Sequence, residues 1–241
     1  MQLFFNSPLD LKESVRRKPN NSRGYANDEY TKQRVDAKEV FDAGRNELFQ
    51  NLSEKAHNNQ LLDGLNFWPD SEKLPLFKKT VDEYFAACSN LSIILFNAML
   101  STLQCGTADA VAESMIMHSS FVRLNYYPAV PASASASDSN SSCDALEVSQ
   151  SCQVSSSSKN DSSIPLFGVS RHTDSGALTV LLQDSHSSLE VYSGSKQDNN
   201  DGRWVPVVPL SGALTINTGD MLQVHFFFFS SFCKKRLSIE C

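Results

Sequence analysis

The sequence predicts a mainly β fold with flanking helices (α+β), in which the strands form a sandwich or jelly roll. Before residue 121, apolar residues recur at three- and four-residue steps, as they do in amphipathic helices. From Phe121 onward they alternate in short runs separated by Gly, Asp, Asn and Pro, a pattern typical of short strands. The 241 residues, 41% of them hydrophobic, suffice to bury one substantial core.

Residues 1–120 are predicted to form an N-terminal helical and mixed region. The apolar spacing between Pro75 and Leu103 predicts a long amphipathic helix, and Pro75 suits the first position of such a helix. A second helix is predicted from Thr107 to His118, where Thr107 could cap the first turn. These helices would flank the strands that follow.

Residues 121–225 are predicted to form the jelly-roll core. Asp201-Gly202 favours a hairpin, and Thr218-Gly219-Asp220 marks a turn between the last two strands. The alternating runs are Phe121–Tyr127, Leu178–Leu182, Leu189–Tyr192, Arg203–Val208 and Ala213–Ile216.

A serine-rich segment, residues 132–163, interrupts the predicted core. It has few large apolar residues and therefore cannot offset its ordering entropy by burial. We interpret it as a disordered insert in a surface loop, since long loops add closure entropy only slowly. A phosphorylated interaction segment is the alternative, and it rests on this composition alone.

Composition restricts the partners and the compartment. The net charge is −6 and no basic stripe runs along the chain, so a nucleic-acid partner is not expected. The apolar runs are too short or too interrupted to span a bilayer, and the first residues do not resemble a signal peptide. The six cysteines form no C-x-x-C pair, which favours reduced thiols in the cytoplasm.

His172 and Asp174 stand two residues apart just before an apolar run. On a strand, residues i and i+2 point to the same face, so both side chains could reach one cation. An imidazole and a carboxylate are two members of the facial triad of two histidines and one carboxylate that binds non-haem Fe(II). The pair is therefore a candidate metal site that needs a second imidazole, although an isolated His-x-Asp is more often a surface pair.

Four motifs, taken in order, resemble the 2-oxoglutarate- and Fe(II)-dependent dioxygenases, and most closely their isopenicillin-N-synthase-like branch. The resemblance covers most of the chain and is interrupted by the serine-rich insert. The motifs are Asn125-Tyr126-Tyr127-Pro128, the run from His172 to Asp184, Gly202-Arg203-Trp204-Val205-Pro206 and the run from Gly219 to Val224.

The resemblance implies a double-stranded β-helix (jelly roll) with Fe(II) at one end. It implies His172 and Asp174 as iron ligands, and Asn125 and Tyr127 as residues that bind the cosubstrate 2-oxoglutarate. No catalytic residue is implied beyond the metal ligands. The expected activity is hydroxylation or desaturation of a small organic metabolite by dioxygen. Neither the substrate nor the oligomeric state follows from the sequence.

The C-terminal residues depart from the family pattern. A distal histidine and an Arg-x-Ser are expected after the Gly-Asp strand, but four phenylalanines follow His225 directly. Residues 226–241 are therefore predicted to be an atypical tail, from truncation or altered splicing, that leaves the C-terminal strands incomplete. Two alternatives remain open. His225 could be the third ligand, with Arg236 and Ser238 at the cosubstrate carboxylate, or the chain could be a catalytically defective or non-enzymatic relative.

Overall fold

The computed structural model describes residues 1–45, 64–102, 120–129, 168–194, 202–222 and 238–240. Within these ranges it contains three α-helices and ten β-strands. The predicted helix Thr107–His118, the serine-rich insert 132–163 and His225 lie outside the described residues. The predictions about them therefore stay predictions.

The N-terminal region contributes two short helices and most of a three-stranded sheet. Helices α1 (Gln2–Phe5) and α2 (Leu9–Glu13) precede strands β1 (Gly24–Ala26) and β4 (Glu39–Gly44). The central strand β4 pairs antiparallel with β1 on one side and with β5 (Phe121–Tyr126) on the other. The sheet thus joins strands from both sides of the predicted division at residue 120, and that division itself stays a prediction.

One face of this sheet covers the main hydrophobic core. Phe4, Tyr25 and Phe41 are fully buried there, and α1 and the sheet supply them together. Val122 and Leu124 of β5 pack against the same cluster. Burial of apolar surface stabilises the folded state by about 25 cal/mol for each Å² removed from water. The burial of this core is therefore the main contribution to the stability of the N-terminal layer.

The long predicted helix is confirmed. Helix α3 spans Phe77–Thr102 and begins two residues after Pro75. Its first turns pack against the main core through Phe77 and Val81. Further along, Phe96 forms a second buried cluster with Leu222, against which Ala177 packs. Helix α3 therefore supports both the N-terminal sheet and the segment around residue 177.

The strands predicted after residue 121 are present, with their ends shifted by a few residues. Strands β6 and β9 pair antiparallel, as do β7 with β8 and β10 with β7. Ser193 of β7 pairs with Arg203 of β8, as expected of the hairpin that Asp201-Gly202 favoured, and residues 195–201 between them lie outside the described residues. The predicted strands are β6 (Leu178–Leu181), β7 (Glu190–Ser193), β8 (Arg203–Pro206) and β9 (Thr215–Thr218). Strand β10 (Ser238–Glu240) was not predicted and lies within the segment 226–241 that was expected to be an atypical tail.

A small hairpin stands beside the first sheet. Strands β2 (Tyr30–Thr31) and β3 (Arg34–Val35) pair antiparallel across the two-residue turn Lys32-Gln33. Both turn residues have positive φ, 52° for Lys32 and 66° for Gln33. Positive φ at both central positions defines a type I′ turn, which matches the twist of the paired strands.

Charged side chains occupy the sheet face opposite the core. Arg123 of β5 lies opposite Asp42 of β4 in the strand register, and its Nε and Nη2 donate to Asp42 at 2.9 and 2.8 Å. The same guanidinium donates to Glu29 at 3.0 and 3.1 Å. We call the whole group the six-charge cluster: Arg17, Glu29, Asp36, Lys38, Asp42 and Arg123.

No helix in the described part of the chain is long and apolar enough to cross a membrane.

Candidate metal centre

His172 and Asp174 lie close together at the surface of a loop. His172 lies at an isolated β-bridge position and Asp174 in the irregular segment that leads to β6, so neither belongs to one of the strands β1 to β10. The loop nevertheless brings His172 Nε2 to 3.7 Å from Asp174 Oδ1. About a third of the His172 side chain and a quarter of the Asp174 side chain remain exposed, at 33% and 24%, which leaves room for a ligand.

The His172 ring is fixed by its other nitrogen. Nδ1 lies 2.9 Å from the Ser170 carbonyl oxygen. A carbonyl oxygen can only accept a hydrogen bond, so Nδ1 must be the protonated nitrogen. The lone pair of the neutral ring is then on Nε2, the atom that faces Asp174. A hydrogen bond from the second ring nitrogen is the usual way in which proteins orient metal-binding histidines.

The Asp174 carboxylate is held by one of its two oxygens. Oδ2 accepts hydrogen bonds from Thr179 Oγ1 at 2.5 Å and from Asn217 Nδ2 at 2.8 Å. Oδ1 is the oxygen that faces His172 Nε2. The carboxylate is thereby oriented with one oxygen toward the protein and one toward the imidazole.

The residues that follow β9 hold the loop around Asp174 in place through three hydrogen bonds. The backbone N–H of Asp220 donates to the Asp174 carbonyl at 2.7 Å, and the N–H of Gly219 donates to the Ala177 carbonyl at 3.0 Å. Asp220 also accepts a hydrogen bond from Thr173 Oγ1 at 2.7 Å. Thr218 ends β9 and Asp220 begins a helical segment, so the predicted break in the chain at Gly219 is a passage from strand to helix, and it supports the residues on both sides of Asp174.

The donor atoms of His172 and Asp174 fit a metal ion. Two ligands that each lie about 2.1 Å from one cation are separated by about 3.0 Å in cis positions of an octahedron and by about 4.2 Å in trans positions. The observed 3.7 Å between Nε2 and Oδ1 is about 0.7 Å longer than the cis spacing that a facial triad needs, so a small closing movement would bring both atoms onto one cation. Imidazole and carboxylate together suit Fe(II). Within the described residues no third His, Cys, Asp or Glu joins them, and His225 lies outside those residues.

Asn125 and Tyr127 lie at the end of β5. Asn125 pairs with Val40 in the strand register, and Tyr127 follows the strand and is 40% exposed. Asn125 shares its strand face with Arg123, two residues earlier. The structure therefore places Asn125 on the charged face of the first sheet, away from the main core.

A cavity of about 350 Å³ joins that charged face to His172. The hairpin residues Tyr30 and Thr31 form one wall of it. The cavity is open to solvent rather than enclosed, and its lining is more polar than apolar. The remaining polar lining comes from Glu29, Lys38, Arg123 and His172.

The charges around the cavity stabilise one another. Burial opposes the charged form of Arg123, but hydrogen bonds and attraction from Asp42 and Glu29 outweigh it and raise the pKa of the guanidinium. Burial likewise opposes the ionised form of Glu29, yet the positive charges of Arg123, Lys38 and Arg17 lower the pKa of this carboxyl below its usual value. Both groups are therefore ionised at neutral pH.

The residues that orient Asp174, and the residues that line the cavity apart from His172, were not predicted from the sequence. Thr179 is the one polar residue of β6, so it could have been found within the His172–Asp184 motif. Asn217 lies in β9, where three of the four residues are polar, so nothing in the sequence sets it apart. Lys38 and Glu29 carried no such signal. They meet His172 only through the tertiary structure.

Family profiles match both halves of the chain. The profile of the 2OG-Fe(II) oxygenase superfamily matches residues 118–232. The profile described as non-haem dioxygenase in morphine synthesis N-terminal matches residues 1–71. The two matches lie on either side of helix α3.

Curated relatives carry similar names. A 2-oxoglutarate-dependent dioxygenase from Didymella fabae is 30% identical over 92% of this chain and 59% of its own length. The 2-oxoglutarate-dependent dioxygenase citB from Monascus ruber is 31% identical over 91% of this chain and 58% of its own length. The chain thus spans less than two thirds of the length of these relatives.

Solved structures share the fold. A putative 2OG-Fe(II) oxygenase family protein from Caulobacter crescentus covers 99% of this chain and 63% of its own, with a TM-score of 0.64 and 21% identity. The dioxygenase for auxin oxidation 1 from Arabidopsis thaliana, a 2-oxoglutarate complex, covers 98% of this chain and 67% of its own. Its TM-score is 0.54 at 19% identity. The mixed helix-and-sheet architecture is therefore that of these jelly-roll oxygenases.

Proposed function

Because this chain belongs to the 2-oxoglutarate–Fe(II) oxygenase superfamily, we propose that it oxidises a small organic molecule with Fe(II) as cofactor and 2-oxoglutarate as cosubstrate. The observation that carries the proposal is the pair of donor atoms that face each other, His172 Nε2 and Asp174 Oδ1, 3.7 Å apart. Dioxygen as the oxidant and a cytoplasmic setting belong to the same proposal.

His172 and Asp174 would hold the iron, and Asn125 and Tyr127 would hold 2-oxoglutarate. The bound iron and cosubstrate would supply the oxidising power for hydroxylation or desaturation. Ser170 keeps the proton of His172 on Nδ1, so that Nε2 stays available to the metal. The amide of Asn125 and the phenol of Tyr127 can each donate a hydrogen bond to a carboxylate without adding a charge.

We place the organic substrate in the cavity beside His172. Arg123 and Lys38 are held there by carboxylates, so the wall is polar but carries balanced charges. Tyr30 and Thr31 add hydroxyl groups from the hairpin. This lining supports a polar substrate in preference to a purely hydrocarbon one.

The test needs no knowledge of the substrate. The 241-residue chain is titrated with Fe(II) in the absence of oxygen and the presence of 2-oxoglutarate, and the visible metal-to-ligand charge-transfer band is recorded. We expect a saturable band in the wild type and none in His172→Ala or Asp174→Ala, because each variant loses one of the two facing donors.

His186→Ala is the matched control. His186 also contacts an aspartate two residues away, with Nδ1 3.2 Å from Asp184 Oδ2, but its side chain is 85% exposed. This variant should leave the band unchanged. A folded wild-type chain without a band would contradict the proposal and would favour the alternative, a non-catalytic relative.

A further inference from the structure

We infer that Thr179 and Asn217 are positioning residues that make Asp174 bind the metal through Oδ1 alone. The inference rests on the proposed function, since it concerns the proposed iron ligand. Its basis is that two donors from different strands converge on a single carboxylate oxygen, Asp174 Oδ2. No motif that indicated the metal ligands assigns a role to either donor.

The strand register explains why both donors reach the same atom. Thr179 of β6 and Asn217 of β9 are direct partners in the antiparallel pair. Directly opposed residues have side chains on the same face of the sheet, roughly 5 Å apart at Cβ. Thr179 and Asn217 therefore form a cross-strand pair whose hydroxyl and amide both point toward Asp174, which precedes β6 by four residues.

Two hydrogen bonds to one oxygen restrict how the carboxylate can bind. A carboxylate can coordinate through one oxygen or through both. Oδ2 accepts hydrogen bonds from Thr179 and Asn217. If the Asp174 carboxylate rotated so that Oδ2 faced a cation, both hydrogen bonds would break and the two donors would be left unsatisfied. Oδ1 already faces His172 Nε2. The pair therefore favours single-oxygen coordination, which keeps one more position on the metal open for other ligands.

Loss of either donor should weaken metal binding with little effect on the fold. Partners that hydrogen-bond to metal ligands typically contribute about 10- to 100-fold to metal affinity. We expect Thr179→Val and Asn217→Ala each to raise the dissociation constant for Fe(II) by about that factor.

Thr215→Val is the matched control for Thr179→Val. Thr215 lies on β9 two residues before Asn217, on the same face, and its Oγ1 accepts a hydrogen bond from Gln183 at 3.3 Å. The control makes the same chemical change, the loss of one threonine hydroxyl, in the same pair of strands, but that hydroxyl does not contact Asp174. It should leave the Fe(II) dissociation constant within about twofold of the wild-type value.

The measurement is an anaerobic Fe(II) titration of each full-length variant, combined with the rise in unfolding temperature caused by saturating Fe(II). A ligand that binds only the folded state stabilises it, so weaker binding reduces this rise at a fixed Fe(II) concentration. The unfolding temperature without metal separates a binding defect from a folding defect. Should Asn217→Ala fail to fold, Thr179→Val alone decides.

Three outcomes are distinguishable. Weakened Fe(II) binding in Thr179→Val, with Thr215→Val unchanged, supports the inference. Wild-type affinity in Thr179→Val, or an equal loss in Thr215→Val, overturns it while His172→Ala still shows that the iron site exists. A folded wild-type chain that binds no Fe(II) overturns the proposed function, and the inference falls with it.

Discussion

At the scale of single residues, Gly219 is where the loop that carries the proposed iron ligands meets the end of β9. A Cβ atom added at this position would lie 2.1 Å from the Gly176 carbonyl oxygen and 2.7 Å from that of Asp174. Both neighbours are backbone atoms, which cannot rotate away as a side-chain end can. Glycine is therefore required by close approach.

We predict that Gly219→Ala destabilises the chain by about 1–3 kcal/mol, the usual range for an added methyl group in a closely packed place. Gly176→Ala is the control, because a Cβ there meets nothing within 4 Å. Urea unfolding of both variants measures the difference. Equal stability of the two would show that the loop adjusts freely, and would remove the argument for a rigid support under Asp174.

For the two proposed iron ligands, the sequence predicted only part of the local arrangement. Their spacing correctly indicated that His172 and Asp174 lie together, but the loop brings them together through the hydrogen bonds from Gly219 and Asp220. Those bonds join residues more than 40 positions apart along the chain. The i, i+2 rule for strands does not describe such contacts, which only the tertiary structure reveals.

At the scale of elements, the β2–β3 hairpin has a turn whose sequence does not suit its conformation. Lys32 and Gln33 both have positive φ, where Asn-Gly is strongly preferred in type I′ turns. Residues with a Cβ adopt this region only at a cost of order 1–2 kcal/mol each. Contacts outside the turn must therefore offset the cost of positive φ at these two residues.

Replacing the turn by its preferred residues should stabilise the protein. We predict that Lys32→Asn together with Gln33→Gly raises the free energy of unfolding by about 1 kcal/mol, since the strain falls while the strands stay paired. Thermal unfolding is the measurement. Gln33→Val is the opposite control, because a β-branched residue tolerates positive φ least and should lower the unfolding temperature. No difference between the two replacements would contradict the turn assignment.

Whether a strand could be predicted from the sequence depended on how many of its residues are buried. Strands β5 to β9 keep partly exposed residues, so their sequences contain the apolar alternation from which they were predicted. Strand β4 has five buried residues in succession, and all three residues of β1 are buried. A strand that is covered on both faces shows no alternation. Strands β1 and β4 were therefore not predicted, although β5 of the same sheet was.

At the scale of the whole molecule, the six-charge cluster connects the first sheet to the cavity beside His172. Its ionisation makes stability depend on pH. The pKa of Glu29 is lower in the folded chain than its ordinary value of 4.5. Its contribution to stability is therefore complete above about pH 4.5 and is lost as the pH falls through the folded-state pKa.

We predict that Glu29→Gln lowers stability at pH 7 by roughly 1–3 kcal/mol, because the cations around it lose a hydrogen-bonded charge. The variant should also lose stability less steeply than the wild type below pH 4.5. Urea unfolding at several pH values measures both effects. Glu83→Gln is the control, since Glu83 is 67% exposed and lies 3.6 Å from Lys79. An exposed pair of this kind contributes little.

The cavity could not have been predicted from the sequence. Its walls combine the β2–β3 hairpin, β5 and the loop before β6, which are separated by long stretches of chain. No local pattern signals that Lys38 and His172 face one space. The motifs identified the residues proposed to bind iron and cosubstrate, whereas the residues proposed to contact the substrate emerged only from the packing of distant elements.

The order of strands in the first sheet has a consequence for the newly synthesised chain. Strand β4 needs β5 as its neighbour, yet Asp42 and its partner Arg123 are 81 residues apart. At translation rates of roughly 5–20 residues per second, about 4–16 s pass between the synthesis of Asp42 and that of Arg123, and one edge of β4 stays unpaired during this time. During this interval Phe4 and Phe41 lack the cover of Val122 and Leu124. We therefore expect the nascent N-terminal half to depend on chaperones until β5 emerges.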